Sequence, residues 1–376
     1  MTAPVRVMTV VGTRPELIRL SRVIPRLDAA VDHVLVHTGQ NHDHQLNQVF
    51  FDELGIREPD TYLGIDTSSL GSALADIMRG TERAINEVRP DALLILGDTN
   101  SALSAIIAKR LQVPIYHMEA GNRSFDANVP EETNRRLVDH IADFNLPYSE
   151  HARRNLLDEG LPPRRIALTG SPMREVLDYY ASGIAASTVL HDNGLTAREY
   201  FVVSAHRQEN VDDPARLAAL VETLRQIRTT WRLPILMSTH PRTRKRLESS
   251  GFGEIDGVDF HEPFGFFDYI HLQANAQCVL SDSGTISEEA AILGFPAVTL
   301  RDSMERPEAL EAGNLVMTGL SAAEVVAGVH EVITDPDRGS IPVEYQVADA
   351  SRRVVRFILS TVARHHEWAG VRSSSR

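Results

Sequence analysis

Short β-branched and apolar runs alternate with amphipathic stretches along nearly the whole chain, and this repetition restricts the fold more than any other feature. An apolar run over 5–11 leads into an amphipathic stretch over 15–27, and a run over 33–38 leads into one over 46–54. Strand-like runs separated by helix-like stretches are βα units, and consecutive βα units build parallel sheets. Runs over 93–97, 114–119 and 144–148 continue the first series, with helices expected over 70–88, 100–111 and 131–141. A second series starts near Tyr200, with strands expected over 201–205, 235–239, 258–261, 278–281 and 297–300.

Two such series in 376 residues suit two domains, because a single core stops growing before that length. The pattern implies an α/β protein of two Rossmann-like, doubly wound domains facing a cleft. A boundary near Pro172 gives domains 1–172 and 173–347. Residues 348–368 read as a helix with Val354, Val355, Phe357, Ile358, Val362 and Ala363 on its apolar face, expected to brace the first domain. The tail, 369–376, has nothing to bury and is expected to fray.

A formal net charge of -13 repels polyanions, so nucleic acid is not an expected partner, and any phosphate ligand needs a local cluster of Arg, His and helix N-termini. The single cysteine, Cys278, excludes an intramolecular disulfide and a multi-cysteine metal site. His37, His42 and His44, with Asp43, fall on a strand end and a polar loop without a metal-binding spacing, so no metal is expected there. No run approaches the roughly 20 apolar residues that span a bilayer. The opening MTAPVR enters the first strand without the apolar stretch of a signal peptide. A cytoplasmic protein with no membrane partner is the expectation.

The candidate chemistry lies where apolar runs end. The first ends in VGTRPE, with Arg14 before a helix, and a βα turn at the carboxyl end of a parallel strand is where such sheets place anionic ligands. Three later runs end in polar groups: GDT at 97–99, EAG at 119–121 and SAHR at 204–207. A lone Asp98 can be a helix N-cap, and Arg14 a solvated turn residue. Glu131 and Arg135 share a helix face, as an ion pair or as functional groups. Ser283, Gly284 and Thr285, before a helix carrying Glu289, offer small hydroxyls and free N–H groups to an anion. Arg301, Glu305, Arg306 and Glu308 crowd one loop, as phosphate ligands or as an internal ion-pair network. Phe264, Phe266, Phe267 and Tyr269 form either a face for a base or core packing.

In this order, VGTRPE, GDT, HMEAGNR, PEETNR, SAHRQEN, DSGTISEEA and RDSMERPEALEAG resemble the motifs of the non-hydrolysing UDP-N-acetylglucosamine 2-epimerase family, from Arg6 to about Gly319. The resemblance implies two domains of the GT-B kind, the second binding UDP, a homodimer, a UDP-sugar substrate and no cofactor. It also implies a mechanism. C2 has no adjacent carbonyl to acidify its proton, so the family expels UDP from C1 as a base takes that proton, and UDP adds back to the 2-acetamidoglucal after reprotonation on the other face. By position in the motifs, Asp98, Glu119, Glu131 and His206 match catalytic groups. Arg14, Arg19, Arg135, Arg207, His240, Tyr269, Ser283, Gly284, Thr285, Glu289 and Arg306 match the UDP side, with Glu289 at the ribose.

The chain departs from the pattern at Arg19, commonly Lys in the family, and at Thr285, where DSGG becomes DSGT. The stretch YLGIDTSSLGSAL over 62–74 lacks the Arg-Gln or Gly-Gln pattern with which many members bind a second UDP-sugar as activator, so no activator requirement is expected. VPEETNR, SAHRQEN, STHPRTRKR and GFFDY look closer to a branch that forms UDP-N-acetyl-L-fucosamine from a 6-deoxy-L-talose sugar. The general UDP-GlcNAc to UDP-ManNAc reaction stays the first reading. A GT-B glycosyltransferase would share the UDP clamp but needs an acceptor cleft. A hydrolysing epimerase often carries an appended kinase domain, and a non-enzymatic sensor has no use for the four catalytic groups.

Overall fold

The computed structural model describes residues 4–40 and 50–372. His42, Asp43 and His44, residues 46–49 of the stretch 46–54 and the last four residues of the tail lie outside the described residues. The chain divides into two units, Met1–Asp178 with Val347–Arg376, and Tyr179–Gln346.

In the first unit, β1 (Arg6–Val11), β2 (Asp32–His37), β3 (Thr61–Tyr62), β4 (Ala92–Leu96), β5 (Ile115–Met118) and β6 (Phe144–Leu146) form a parallel sheet in the order β3-β2-β1-β4-β5-β6. In the second, β7 (Phe201–Ser204), β8 (Ile235–Ser238), β9 (Val258–His261), β10 (Cys278–Ser281), β11 (Ala297–Thr299) and β12 (Val316–Met317) repeat the arrangement as β12-β11-β10-β7-β8-β9. The α/β class with two Rossmann-like, doubly wound sheets therefore holds. Strand order reverses between β1 and β4 and again between β7 and β10. Such switch points are where open α/β sheets bind ligands, beyond the carboxyl ends of the strands.

Side chains alternate across each sheet because successive residues of a strand point to opposite faces. Phe201, Val203, Ile235, Met237, Cys278 and Leu280 feed one core, while Tyr200, Val202, Leu236 and Val279 feed the other. Both faces are thus covered, which explains the continuous apolar runs. Each fully buried Leu, Val or Phe contributes about 1.5–3 kcal/mol. Cys278 is buried in this core, and burial pushes its thiol well above the ordinary range.

The edge strands β3 and β12 escaped the sequence reading because two residues carry no periodicity. The stretch 15–27 forms two helices, Arg14–Leu20 and Val23–Ala30. The helix expected over 100–111 opens as a 3-10 turn, Asn100–Leu103, before Ser104–Arg110. Within the first unit, the helix Ala350–Thr361 lies on Val23–Ala30, with Arg26 Nε 2.9 Å from Ser351 Oγ. Val354, Val355, Ile358 and Val362 are buried there, and Phe357 meets Phe144 edge-on at 5.4 Å. Ala363 is a correction: the helix tightens into a 3-10 turn at Val362–Arg364, which rotates Ala363 to solvent.

Candidate active site

The predicted residues fall into two groups, one at the carboxyl ends of the strands in each unit. In the first unit, Gly12 follows β1 in such close contact that an added β-carbon would lie 2.0 Å from Ser101 Oγ. Thr13 then starts the helix Arg14–Leu20 in a Thr-x-x-Glu capping pattern. Glu16 Oε2 accepts from the N–H groups of Gly12 and Thr13, both at 2.7 Å, and from Thr13 Oγ1 at 3.1 Å. Its Oε1 accepts from Thr99 Oγ1 at 2.8 Å, so one buried carboxylate ties the turn after β1 to the GDT turn after β4. Burial pushes the Glu16 carboxyl up to about 7 against the opposing pull of these hydrogen bonds. The Thr-x-x-Glu spacing was the available signal for this residue, which the sequence reading passed over.

Asp98 lies half-buried in the GDT turn, and Arg135 grips one of its oxygens with Nη2 at 2.5 Å and Nε at 3.0 Å. Arg135 itself is buried and donates from Nη1 to Glu132 at 2.9 Å. The helix Pro130–Ile141 thus pairs Arg135 with Glu132 at i,i+3. Burial works against Glu132, but hydrogen bonds from Ser124 and Arg136 and the Arg135 charge hold its carboxyl below the usual range. Glu131 stands beside it in the first turn, half-buried.

Glu119 follows β5 with a φ of +63°, a left-handed conformation that costs a non-glycine residue roughly 1–3 kcal/mol. Its carboxylate meets Arg19, which is 2% exposed, at 2.5 Å. Nearby, His117 Nε2 is 2.8 Å from the Gly97 carbonyl and Nδ1 is 2.9 Å from Asp139, bracing the same turns from below. Arg14 opens its helix with the guanidinium 5.4 Å from the Phe50 ring centroid. The turns after β1, β4 and β5 therefore hold Arg14, Arg19, Asp98 and Glu119, with Glu131 and Arg135 on the helix that packs against the GDT turn.

In the second unit, Asp282 is the counterpart of Glu16. It is fully buried at the end of β10 and accepts from the backbone N–H groups of His206 and Arg207, each at 3.0 Å, in the turn after β7. Arg207 returns a bond from Nε to the Asp282 carbonyl at 2.8 Å and reaches Glu305 at 3.2 Å. A strand-end Asp has no periodic signature, so the DSGTISEEA motif by itself does not distinguish Asp282. Ser283 and Thr285 hydroxyls lie 3.1 Å apart ahead of the helix Ile286–Leu293. Arg306 donates from Nη1 to the Gly284 carbonyl at 2.8 Å and to the buried Glu288 at 2.9 Å, while Arg301 pairs with Glu305 at 2.5 Å. The internal ion-pair network that the loop's charges allowed is present. Burial, opposed chiefly by the Glu305 charge, lowers the Arg301 value.

Glu289 is buried and accepts from Gln273 Nε2 at 2.8 Å. Tyr269 lies close enough to feel its charge: burial first, and then Glu289, push the Tyr269 hydroxyl well up. His240, exposed after β8, caps the helix Pro241–Ser249 by accepting from Arg242 N–H at 3.3 Å. Phe266 and Phe267 pack against Tyr180, as core residues do, whereas Phe264 stacks on His261 at 4.0 Å. Among the described residues no three His, Cys, Asp or Glu side chains gather as a metal ion requires. No helix among them is long and apolar enough to cross a membrane.

Comparison with known proteins places this arrangement. The profile of the family described as UDP-N-acetylglucosamine 2-epimerase matches residues 26–359. The structure of UDP-N-acetylglucosamine 2-epimerase from Rickettsia bellii superposes with a TM-score of 0.92 at 44% identity, covering 98% of this chain and 100% of that one. The Methanocaldococcus jannaschii UDP-GlcNAc 2-epimerase, solved with UDP-GlcNAc and UDP, superposes with a TM-score of 0.90 at 32% identity, covering 94% and 99%. The UDP-2,3-diacetamido-2,3-dideoxy-D-glucuronate 2-epimerase of Pseudomonas aeruginosa is 33% identical over 94% of this chain and 99% of its own. Sequence, fold and the strand-end carboxylates agree: the chain belongs to the UDP-N-acetylglucosamine 2-epimerase family of isomerases.

Proposed function

We propose that the chain interconverts UDP-GlcNAc and UDP-ManNAc without hydrolysis, by anti or syn loss of UDP from C1 with removal of the C2 proton, and by re-addition of UDP to the glycal. The observation that carries this reading is the trio Asp98, Glu119 and Glu131 at the strand ends and neighbouring helix of one sheet, two of them gripped by buried arginines. Carboxylates held in this way exchange a proton at a fixed point without rearranging first. His206 supplies a further acid–base group.

UDP departs as an anion, so its release needs positive charge and oriented N–H groups. In the second unit, Arg207, His240 and Arg306 with Ser283, Gly284 and Thr285 at a helix start supply them, and Glu289 and Tyr269 take the ribose side, while Arg14 is assigned to UDP by its place in the VGTRPE motif. Arg19 and Arg135, read from the sequence as UDP contacts, also brace Glu119 and Asp98. The enzyme acts in the cytoplasm as a homodimer, as the family resemblance implies, and sedimentation of the purified protein tests the dimer.

The test of the reaction is incubation with UDP-GlcNAc in D2O, without acceptor or added cofactor, followed by NMR. Deuterium at C2 together with UDP-ManNAc is the expected result. Deuterium only in UDP-2-acetamido-2,6-dideoxy-L-talose would keep the chemistry and move the substrate to the L-fucosamine branch, which the SAHRQEN and VPEETNR motifs favour. No exchange in either sugar would overturn the proposal.

A further inference from the structure

The environment of Asp282 carries a consequence for His206. Three donors face this buried carboxylate across the switch point between β7 and β10. Oδ2 accepts from His206 N–H, Arg207 N–H and Asn210 Nδ2, each at 3.0 Å, and Oδ1 accepts from His206 N–H at 3.2 Å. The His206 ring turns back on the same group, with Nδ1 3.3 Å from Oδ1. A contact of 3.3 Å is longer than a tight charge-assisted hydrogen bond, and it sets Nδ1 beside the carboxylate as an ion-pair contact.

An ionised carboxylate only accepts hydrogen bonds, so a ring nitrogen facing it is satisfied when it carries the hydrogen. In a neutral imidazole that leaves the opposite nitrogen, Nε2, with its lone pair. The ring is 47% exposed while Asp282 is fully buried, so its Nδ1 edge faces the carboxylate and the rest of the ring remains open to a reactant.

We propose that Asp282 is a positioning residue that selects the Nδ1–H tautomer of His206 and thereby presents Nε2 as its proton-accepting atom. This rests on the reading of His206 as an acid–base group. It assigns to Asp282 more than the capping of a turn, and the two roles separate in the variant Asp282→Asn. The amide oxygen can keep the three bonds made by Oδ2. The amide nitrogen then takes the Oδ1 position, where the ring is the one neighbour able to change from donor to acceptor. Nδ1 becomes the acceptor, the ring hydrogen moves to Nε2, and the base is lost although the fold is kept. The same substitution in the Ser-His-Asp triad has this effect, with a loss of about 10⁴ in turnover.

The experiment is a long-range 1H–15N correlation of the full-length protein carrying 15N-histidine, with turnover and UDP titration of the same samples. The wild type is expected to show His206 hydrogenated at Nδ1, assigned by loss of the signal in His206→Ala. Asp282→Asn is expected to show the hydrogen on Nε2, turnover lowered at least 100-fold, and UDP affinity changed by less than about fivefold. Asn210→Ala removes another hydrogen bond to Asp282 that does not face the ring, and should leave the tautomer and turnover in place. A wild-type ring hydrogenated at Nε2 overturns the proposal without any variant having to fold. So does Asp282→Asn with an unchanged tautomer. A wild type inactive on every UDP-sugar would instead overturn the reading of the site, because the tautomer is measured independently of turnover.

Discussion

Arg19 Nη1 lies 2.5 Å from Glu119 Oε2, joining the helix after β1 to the end of β5. Glu119 is held twice, by this ion pair and by a left-handed backbone, so its carboxylate has one direction to point. Removing Arg19 takes the ion-pair partner away from a largely buried carboxylate. Arg19→Ala is expected to lower unfolding free energy by about 3–5 kcal/mol in urea titrations. Arg19→Lys, which restores the charge without the planar fork, should recover more than half of that.

Asp98→Asn, Glu119→Gln, Glu131→Gln and His206→Ala should each lower turnover by about two orders of magnitude or more while the proteins stay folded. Arg14→Ala should also weaken UDP binding. Arg135→Lys should reduce turnover by roughly tenfold, because a lysine cannot bring two nitrogens to Asp98. Rates of deuterium incorporation at C2, with circular dichroism of the same samples, check this. All four catalytic variants at wild-type rates would remove the assignment.

Glu16 gives a pH dependence with a definite sign. Its folded carboxyl holds a proton up to about pH 7, against an ordinary value of 4.5. The folded state therefore binds this proton more tightly than the unfolded chain does. The contribution is full below pH 4.5 and is lost as pH rises through about 7, and its size is on the order of 3 kcal/mol. Glu16→Gln, which carries no titrating group, should flatten this part of the stability profile. Urea midpoints of both proteins across that window measure the difference.

Gly284 sits where a β-carbon would lie 3.0 Å from Glu305 Oε1 and 3.5 Å from Arg306 Nη1. Glu305 cannot retreat easily, because Arg301 and Arg207 hold it. Gly284→Ala is therefore expected to displace the Arg306 end of the cradle and weaken UDP binding by roughly tenfold by calorimetry. An unchanged affinity would place UDP elsewhere.

The stretch 62–74 lacks the pattern linked to an activating second UDP-sugar. Initial rates in the UDP-ManNAc direction should follow a hyperbola, with no lag relieved by traces of UDP-GlcNAc. A sigmoidal curve abolished by such traces would show an activator site.

The sequence alone determined the βα alternation, because a strand buried on both faces must be apolar throughout and its helices must be amphipathic. It also singled out the candidate site residues, since polar groups stand out where apolar runs end, as Asp98, Glu119 and His206 do. Ten of the strands were legible; β3 and β12 are too short to show a period. Tertiary structure alone decided the partners. Arg135 meets Asp98 from 37 residues away, Arg19 meets Glu119 from 100, and Asp282 meets His206 from 76. Such contacts arise when parallel strands bring distant turns side by side at a switch point, and no local spacing encodes them. Asp282 stayed hidden for the same reason, since it is defined by the neighbouring turn it holds, whereas the Thr-x-x-Glu spacing marked Glu16 as a capping residue without showing its tie to the GDT turn.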